Sequence, residues 1–542
     1  MKDGFIKVAA ATPDVRVADC EYNATEIIRM IHEMEEQGAK VMVFPELCIT
    51  AYTCGDLFWQ ENLLEEAKVQ LVRIAEETKE VDALIFVGLP LEYNGKLYNV
   101  AAGLNHGEIL GFVPKTYLPN YNEFYEARYF TSGEHVDGTV HIDREAYKER
   151  YDSDFDDVEF DIEMASFGEF EEIEEIDDED FDDEDFEDED FDDLDFDDED
   201  FEDELYEEDI WISPNTIFTC EDMPKLQIAA EICEDLWVPN PPSVAHAFHG
   251  ANLIVNLSAS DEVVGKDSYR KSLVSAQSAR LLCGYIYATA GEGESTQDVV
   301  YGGHNLIAEN GTLLCEAEPF ANGTAATELD LGRMVQERIR NTTFVPDAAG
   351  YTTISFDLEV AEAPLTRFVS PTPFVPQNDA ARAERCELIL RIQAEGLAKR
   401  MEHTHAKCAV VGISGGLDSC LALLVAVRAC KVLGRDPKDI IAITMPCFGT
   451  TKRTRSNAEI LCEALGVSFT EINITNTVES HFADIGQDPH TYDVTFENCQ
   501  ARVRTLELMD YANKNGGFVI GTGDLSELAL GWATYNGDHM SM

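Results

Sequence analysis

The chain of 542 residues contains no apolar run that reaches the roughly 18 residues a membrane-spanning helix needs. Its N-terminal residues become polar too soon for a secretory signal. Its 14 cysteines include no CxxC pair, the closest two being Cys48 and Cys54. This spacing argues against a zinc site or a disulfide framework, and most of the thiols are expected to be reduced and buried. We therefore expect a cytoplasmic protein without a membrane anchor.

Basic residues are also few. The chain has 39 Lys and Arg against 105 Asp and Glu, which gives a formal net charge of −66 at pH 7. Residues 151–210 hold 37 of the acids and no Lys or Arg, so the other residues carry a net charge of −29. Because contacts with nucleic-acid phosphates need a basic face, we expect no nucleic-acid binding.

Residues 151–210 also show an unusual repeat. Phenylalanines recur every five residues among the acids, at Phe181, Phe186, Phe191, Phe196 and Phe201. This period matches neither a helix nor a strand, and the like charges oppose compaction. We predict a disordered insertion. It serves either as a solvated spacer in a surface loop or as a docking segment for a basic partner.

Prolines mark a second boundary. Pro364, Pro371, Pro373 and Pro376 crowd one short stretch, which cannot continue a helix or a central strand. The hydrophobic content of 45% is enough for more than one core. We predict an N-terminal domain over residues 1–365, a linker over residues 366–378 and a C-terminal domain over residues 379–542.

Residues 411–419 read Val-Gly-Ile-Ser-Gly-Gly-Leu-Asp-Ser and lie between an apolar strand and an apolar helix. Gly415 and Gly416 let the backbone come close to an anion, and the positive end of the helix dipole favours negative charge there. The pattern differs from the usual G-x-x-x-x-G-K-[ST] nucleotide loop. It predicts a phosphate site, and the alternative is a plain glycine turn.

Three polar residues, Glu46, Lys115 and Cys233, each follow an apolar run. A thiol is mostly protonated near neutral pH, so Cys233 needs a base, and Glu46 can take its proton and later activate water. Lys115 can stabilise the oxyanion of a tetrahedral intermediate. Singly, each residue is more simply a loop or core residue. Together they are suited to hydrolysis of an amide to a carboxylate and ammonia.

The order of these three residues resembles the nitrilase (carbon–nitrogen hydrolase) superfamily, which implies an α-β-β-α sandwich. The glutamine contacts implied by its glutamine-dependent members are Tyr121, Ser260 and Lys266. The loop over residues 412–419 resembles the SGGxDS loop of the ATP pyrophosphatases, which split ATP between its α and β phosphates and adenylylate a substrate. That resemblance implies a doubly wound parallel α/β sheet with the loop at its first strand.

Both features in one chain resemble the glutamine-dependent NAD⁺ synthetases, with specificity carried by residues 497–504 and 521–538. The resemblance implies that deamido-NAD⁺ is adenylylated with ATP and Mg²⁺, and that ammonia from glutamine then displaces AMP. The implied ATP contacts are Gly412, Ile413, Ser414, Gly415, Gly416, Leu417, Asp418, Ser419 and Thr522. The implied deamido-NAD⁺ contacts are Asn498, Glu527, Trp532, Ala533, Thr534 and Tyr535. The implied Mg²⁺ ligands are Asp418 and Glu527. A buried ammonia tunnel and a homo-oligomer are implied as well.

Two features depart from this family. The interval from Lys115 to Cys233 is longer than the family's, and the acidic block accounts for the excess. The sequence stops at Met542, where the family continues, so a lysine that contacts deamido-NAD⁺ is missing. We therefore expect an incomplete synthetase domain.

Two other functions stay open. The first is an amidotransferase that adenylylates a different carboxylate, against which the blocks at residues 497–504 and 521–538 argue. The second is an acidic interaction protein built on decayed domains. The intact Glu46, Lys115 and Cys233 argue against it.

Overall fold

The structure is a computed structural model that describes residues 3–151, 207–296, 299–347, 349–362, 364–448 and 452–537. The chain divides into two units, Met1–Phe368 and Val369–Met542. Most of the predicted disordered insertion lies outside the described residues, as do Asp538 and the residues after it. Within the described ranges, no helix is both long enough and apolar enough to cross a bilayer.

The first unit consists of two β-sheets and the helices that cover them. Its strands are β1 (Phe5–Thr12), β2 (Val41–Val43), β3 (Leu84–Tyr93), β4 (Lys96–Asn105), β5 (Glu108–Pro114), β6 (Gly138–Asp143), β7 (Glu207–Ile212), β8 (Thr216–Cys220), β9 (Gln227–Ile232), β10 (Leu253–Ser258), β11 (Gly284–Thr289), β12 (Leu306–Glu309), β13 (Thr312–Glu316), β14 (Gly323–Asp330) and β15 (Thr352–Phe356). Its helices are α1 (Cys20–Glu36), α2 (Glu61–Glu77), α3 (Glu145–Tyr151), α4 (Glu234–Trp237), α5 (Pro242–Phe248), α6 (Lys266–Leu281) and α7 (Leu331–Arg340). Two 3₁₀ segments cover Tyr52–Trp59 and Glu126–Arg128.

The two sheets each have a parallel centre. The eight-stranded sheet has the order β14-β1-β2-β3-β4-β5-β7-β6, and the seven-stranded sheet has the order β13-β12-β11-β10-β9-β8-β15. The trios β1-β2-β3 and β9-β10-β11 are parallel. Because the carboxyl ends of parallel strands meet at one edge, residues that follow β2, β9 and β10 are brought to defined edges of the sheets.

Alternate residues of β1 show how the layers pack. Ile6, Val8 and Ala10 join the apolar core between the two sheets, which Phe218 and Val255 enter from the other side. Ala9 and Ala11 lie on the opposite face and join the cluster that contains residues of α1 and α2. Helices α5 and α6 cover the outer face of the second sheet. The predicted α-β-β-α sandwich is therefore confirmed.

The predicted insertion, residues 151–210, is wrong at its two edges. Tyr151 ends α3, and Glu207–Ile212 forms β7, which pairs antiparallel with β6. Ile210 on β7 is buried, as is Ile142 on the neighbouring strand β6. Acidic residues dominate the composition at this edge and obscure the short apolar alternation that forms the strand.

The second unit contains one sheet of four parallel strands. The strands are β16 (Ala409–Gly412), β17 (Ile440–Thr444), β18 (Ser468–Glu471) and β19 (Phe518–Ile520). The helices are α8 (Asp379–His403), α9 (Leu417–Val432), α10 (Lys452–Leu465), α11 (Thr475–Ile485), α12 (Val494–Asn515) and α13 (Leu525–Leu530), and a 3₁₀ segment covers Pro437–Asp439.

The strand order in this sheet is β18-β17-β16-β19. The first strand of this unit, β16, is an inner strand, and the order of the strands reverses there. In open parallel sheets, such a reversal is where ligands bind beyond the carboxyl ends of the strands. The predicted doubly wound sheet, with its glycine loop at the first strand, is confirmed.

Candidate active sites

Glu46, Lys115 and Cys233 lie shortly after the carboxyl ends of β2, β5 and β9. The strand β10 brings two of them together. The Cys233 N–H donates to Leu257 O at 2.9 Å, and the Glu46 N–H donates to Ser258 O at 3.2 Å. The predicted nucleophile and the predicted base are thus anchored to adjacent carbonyls at the end of one strand, although they come from different sheets.

The turn around Glu46 also needs a glycine beneath it. A Cβ added to Gly88 on β3 would lie 2.4 Å from Leu47 N and 2.7 Å from Pro45 O. These are backbone atoms, which cannot move aside as the end of a flexible side chain can. Gly88 therefore allows the turn that carries Glu46 to lie directly on β3.

Lys115 lies between two carboxylates and is fully buried. Its Nζ donates to Glu46 Oε1 at 2.6 Å and to both oxygens of Glu126 at 2.7 Å. Asn99 Nδ2 donates to the same Glu46 oxygen at 2.6 Å, and the Tyr52 hydroxyl donates to Glu126 at 2.7 Å. Burial lowers the pKa of Lys115, but Glu126 and Glu46 raise it, and the result is a pKa well above the usual value. Lys115 is therefore a fixed cation.

Glu126 was missed by the sequence analysis. Burial raises its pKa to about 7, Lys115 lowers it and Glu46 raises it. In the sequence, Glu126 stands in a polar, aromatic segment with no apolar run before it, so the signal that marked the other three residues was lacking. It adds a second carboxyl to the site.

Cys233 occupies a strained turn between β9 and α4. Its backbone has φ 45° and ψ −99°, in the left-handed half of the map that residues other than glycine rarely adopt. Burial raises the pKa of the Cys233 thiol well above its usual range; Glu46 raises it further and Lys115 lowers it. The thiol therefore keeps its proton until a base removes it. Glu46 Oε2 is buried and has no hydrogen-bond partner among the described residues, so it is free to act as that base.

The predicted glutamine contacts differ in their surroundings. The Tyr121 hydroxyl donates at 2.8 Å to Glu234, the residue after Cys233, which the sequence analysis did not single out. Lys266 pairs with Asp261 and lies over the rings of Phe124 and Trp237.

Ser260 is the third predicted glutamine contact, and it is buried. Its N–H donates to Thr289 Oγ1 at 3.1 Å, and its hydroxyl accepts from Arg270 at 3.4 Å.

A cavity of about 240 Å³ reaches Glu126 and is also lined by Tyr52 and Phe124.

In the second unit, the loop after β16 is shaped by its own hydroxyls. Ser414 Oγ accepts the Gly416 N–H at 3.2 Å, and Ser419 Oγ accepts the Ser414 N–H at 3.3 Å. Gly415 has φ +83°, which favours glycine. The loop leads into α9, whose N-terminal turn contains the exposed Asp418. A turn of this shape at a helix N-terminus is suited to a phosphate.

The other predicted nucleotide contacts lie at the same sheet edge or near α12. Thr522 follows β19, which is hydrogen-bonded to β16, so its strand ends beside the loop. The Thr534 hydroxyl donates to Asn498 Oδ1 on α12 at 3.0 Å, and Arg502 Nε donates to Tyr535 O at 3.1 Å. The structure thus brings Thr534 to Asn498 and holds Tyr535 beside α12.

The two predicted Mg²⁺ ligands are carboxylates in different settings. Asp418 is exposed, whereas Glu527 Oε2 accepts the Asp524 N–H at 3.2 Å in the capping box that begins α13. The described residues contain no cluster of three or more His, Cys, Asp or Glu that could hold a metal ion. Mg²⁺ commonly binds through one or two carboxylates and substrate phosphates, so this donor set fits an ion that arrives with a nucleotide.

Comparisons with known proteins find a matching family for each of the two units. A family model described as carbon-nitrogen hydrolase matches residues 7–146 and 195–338, and one described as NAD synthase matches residues 389–541. The glutamine-dependent NAD(+) synthetase of Mycobacterium leprae is 37% identical over 99% of this chain and 72% of its own length. That of Aquifex aeolicus is 26% identical over 98% of this chain and 77% of its own length.

A solved structure of glutamine-dependent NAD⁺ synthetase from Acinetobacter baumannii, in complex with ADP, aligns with 99% of this chain and 78% of that chain. The identity is 22% and the TM-score is 0.41. The family assignment rests on the sequence matches: the chain belongs to the glutamine-dependent NAD⁺ synthetases.

Proposed function

We propose that the first unit hydrolyses glutamine, with Cys233 as the nucleophile and Glu46 as the general base. Cys233 Sγ attacks the carboxamide carbon while its proton moves to Glu46 Oε2. The Lys115 ammonium stabilises the resulting oxyanion. The C–N bond then breaks, and ammonia leaves with the proton returned by Glu46. Water activated by Glu46 cleaves the thioester to glutamate.

One observation carries this proposal. Lys115 Nζ is held between Glu46 and Glu126 without exposure to solvent, and Cys233 stands in a strained turn beside them. A buried cation with two carboxylates has no use in a plain core, because desolvating such groups is costly. It supplies a thiol, a carboxylate base and a cation for the oxyanion, which are groups that can carry out amide hydrolysis.

Recognition of glutamine as a free amino acid needs opposite charges around it. We assign Tyr121, Ser260 and Lys266 to this task, and Glu234 joins them through its hydrogen bond with Tyr121. The Glu234 carboxylate is suited to the α-ammonium group and the Lys266 ammonium to the α-carboxylate.

The second unit is proposed to use the ammonia for amidation of deamido-NAD⁺ to NAD⁺. ATP binds at residues 412–419 and Thr522, and adenylylation of the nicotinate carboxylate releases pyrophosphate. Asn498, Glu527 and residues 532–535 contact deamido-NAD⁺. Asp418 and Glu527 would hold Mg²⁺, which would neutralise phosphate charge.

The ammonia is proposed to reach the second site without release to solvent, since ammonia in water is protonated and lost. A coupled enzyme that consumes free ammonia should then not inhibit glutamine-driven synthesis. The working form is proposed to be a cytoplasmic homo-oligomer, which light scattering on the purified chain would test.

The deciding experiment is an assay of NAD⁺ formation from deamido-NAD⁺ with ATP and Mg²⁺, run with glutamine and, in parallel, with ammonium. NAD⁺ from both donors supports the whole proposal. Glutamate release without NAD⁺ from either donor would support the glutaminase but contradict the synthetase. Absence of glutamate release in every condition would contradict the role of Cys233.

A further inference from the structure

Asp235 is a buried carboxylate that binds backbone N–H groups from two separate segments. Its Oδ1 accepts the Tyr117 N–H at 2.8 Å. Its Oδ2 accepts the Ile232 N–H at 3.0 Å and the Thr116 N–H at 3.4 Å. Only 2% of the residue is exposed. Both oxygens therefore act as acceptors for the main chain.

The positions of these donors are the informative feature. Ile232 directly precedes Cys233, and Thr116 and Tyr117 directly follow Lys115. Lys115 directly follows β5 of the first sheet, and Cys233 directly follows β9 of the second. A single side chain thus joins the main chain next to Cys233 to the main chain next to Lys115, across the two sheets.

Main-chain bonds also hold each residue, but only within its own sheet: the Lys115 N–H donates to Asn99 O at 2.8 Å, and the Cys233 N–H donates to Leu257 O at 2.9 Å. Cys233 has a positive φ, a conformation that persists only when surrounding contacts fix it. Lys115 reaches its position through a long side chain, so a shift of its backbone would change the distance between its Nζ and the oxyanion. Errors of about 1 Å in such geometry cost on the order of 100-fold in rate.

We propose that Asp235 is a positioning residue that keeps Lys115 in register with Cys233. The inference rests on the proposed glutaminase, and it adds a residue that touches neither substrate nor reacting atoms. Its carboxylate cannot be replaced by an amide without loss, because an Asn Nδ2 would face at least one of the N–H donors.

The test compares Asp235→Asn with Glu231→Gln. Glu231 is a matched control: it is equally buried and accepts the Ser243 N–H at 2.9 Å, but it does not join the two catalytic segments. We expect Asp235→Asn to lower kcat for glutamine hydrolysis by about 100-fold with KM nearly unchanged. Glu231→Gln should keep kcat near the parental value. Equal kcat in the two variants would overturn the proposal.

A second measurement does not depend on activity. Hydrogen exchange by mass spectrometry should show amide exchange accelerated by about tenfold in the peptides that contain residues 116–117 and 232 of Asp235→Asn, but not of Glu231→Gln. If the parental chain proves to lack glutaminase activity, the proposed function fails while this measurement still decides the role of Asp235. Unchanged exchange in both peptides would refute it.

Discussion

Replacement of Glu46 by glutamine separates the base from the geometry that holds it. Glu46 Oε1 accepts from Lys115 and Asn99, whereas Oε2 has no partner among the described residues. A glutamine can place its oxygen at the Oε1 position and its nitrogen at the Oε2 position. Both hydrogen bonds then remain, and the only group lost is the basic oxygen that receives the Cys233 proton.

The expected loss of activity is large. A positioned general base contributes about 10²–10⁴-fold to a rate, which corresponds to roughly 3–5 kcal/mol of activation free energy. Burial raises the thiol pKa, and this effect persists when Glu46 is replaced, so few thiolates form without a base. The kcat for glutamine hydrolysis by Glu46→Gln should therefore fall by at least about 100-fold.

The expected change in stability is small. The new amide nitrogen lacks an acceptor, which costs about 1–3 kcal/mol. Against this, Glu46 and Glu126 compete for one cation, and Glu46 raises the pKa of Glu126. Removing one of two carboxylates beside Lys115 relieves that repulsion. We expect the two effects largely to offset each other and the melting temperature to change by a few degrees at most.

The assay is glutamate release with excess glutamine, alongside thermal melting. Glu309→Gln provides the control, because Glu309 is also buried in the first unit and pairs with Arg367 at 2.8 Å. That variant should lose stability and keep its activity. Retention of more than about a tenth of the parental kcat by Glu46→Gln would exclude Glu46 as the general base. Unfolding of the first unit in Glu46→Gln would contradict the expected small change in stability.

The remaining predictions concern the thiol, the predicted Mg²⁺ ligand Asp418, Glu126 and the acidic block. Cys233→Ala should abolish glutamine hydrolysis but keep ammonium-driven synthesis; any glutamate release would exclude this thiol as the nucleophile. Asp418→Asn should weaken binding of ATP·Mg²⁺ in calorimetry, while glutamine hydrolysis persists; an unchanged titration would exclude the Mg²⁺ role. The margin in melting temperature of Glu126→Gln over the parent should increase as pH rises from 4.5 towards about 7, because the folded parent keeps a proton on Glu126 that the unfolded chain releases. A pH-independent margin would contradict the raised pKa. Deletion of residues 152–206 should leave glutaminase activity near the parental level, and loss of folding would show that the segment is built into the first unit.

The sequence was informative about the site where a chemical group ends an apolar run. Glu46, Lys115 and Cys233 were singled out because each follows such a run, and the structure places the first two in direct contact. Their roles remain predictions. Glu126 and Asp235 could not be found in this way. Their contacts depend on the path of the chain after β5 and on the turn after β9, which no local pattern specifies.

The fold shows the same division. The phosphate loop and its flanking strand and helix could be predicted, because glycines, hydroxyls and apolar runs are local signals. The pairing of β14 with β1 could not. It joins Phe5 to Asp330 and Thr12 to Gly323, across most of the first unit, and depends on the packing of whole layers.

The charge balance explains why Lys115 has two carboxylates instead of one. In the proposed reaction, Glu46 becomes neutral when it takes the Cys233 proton, and a negative charge appears on the oxyanion. The negative charge beside Lys115 therefore changes position, while the net charge of the site stays the same. Such a shift is favourable only if the ammonium does not move. Glu126 supplies that restraint, since it binds Nζ through both oxygens and does not take part in the proton transfer. Burial raises the pKa of Glu126 to about 7, so this carboxyl competes less strongly with Glu46 and then with the oxyanion for the Lys115 ammonium.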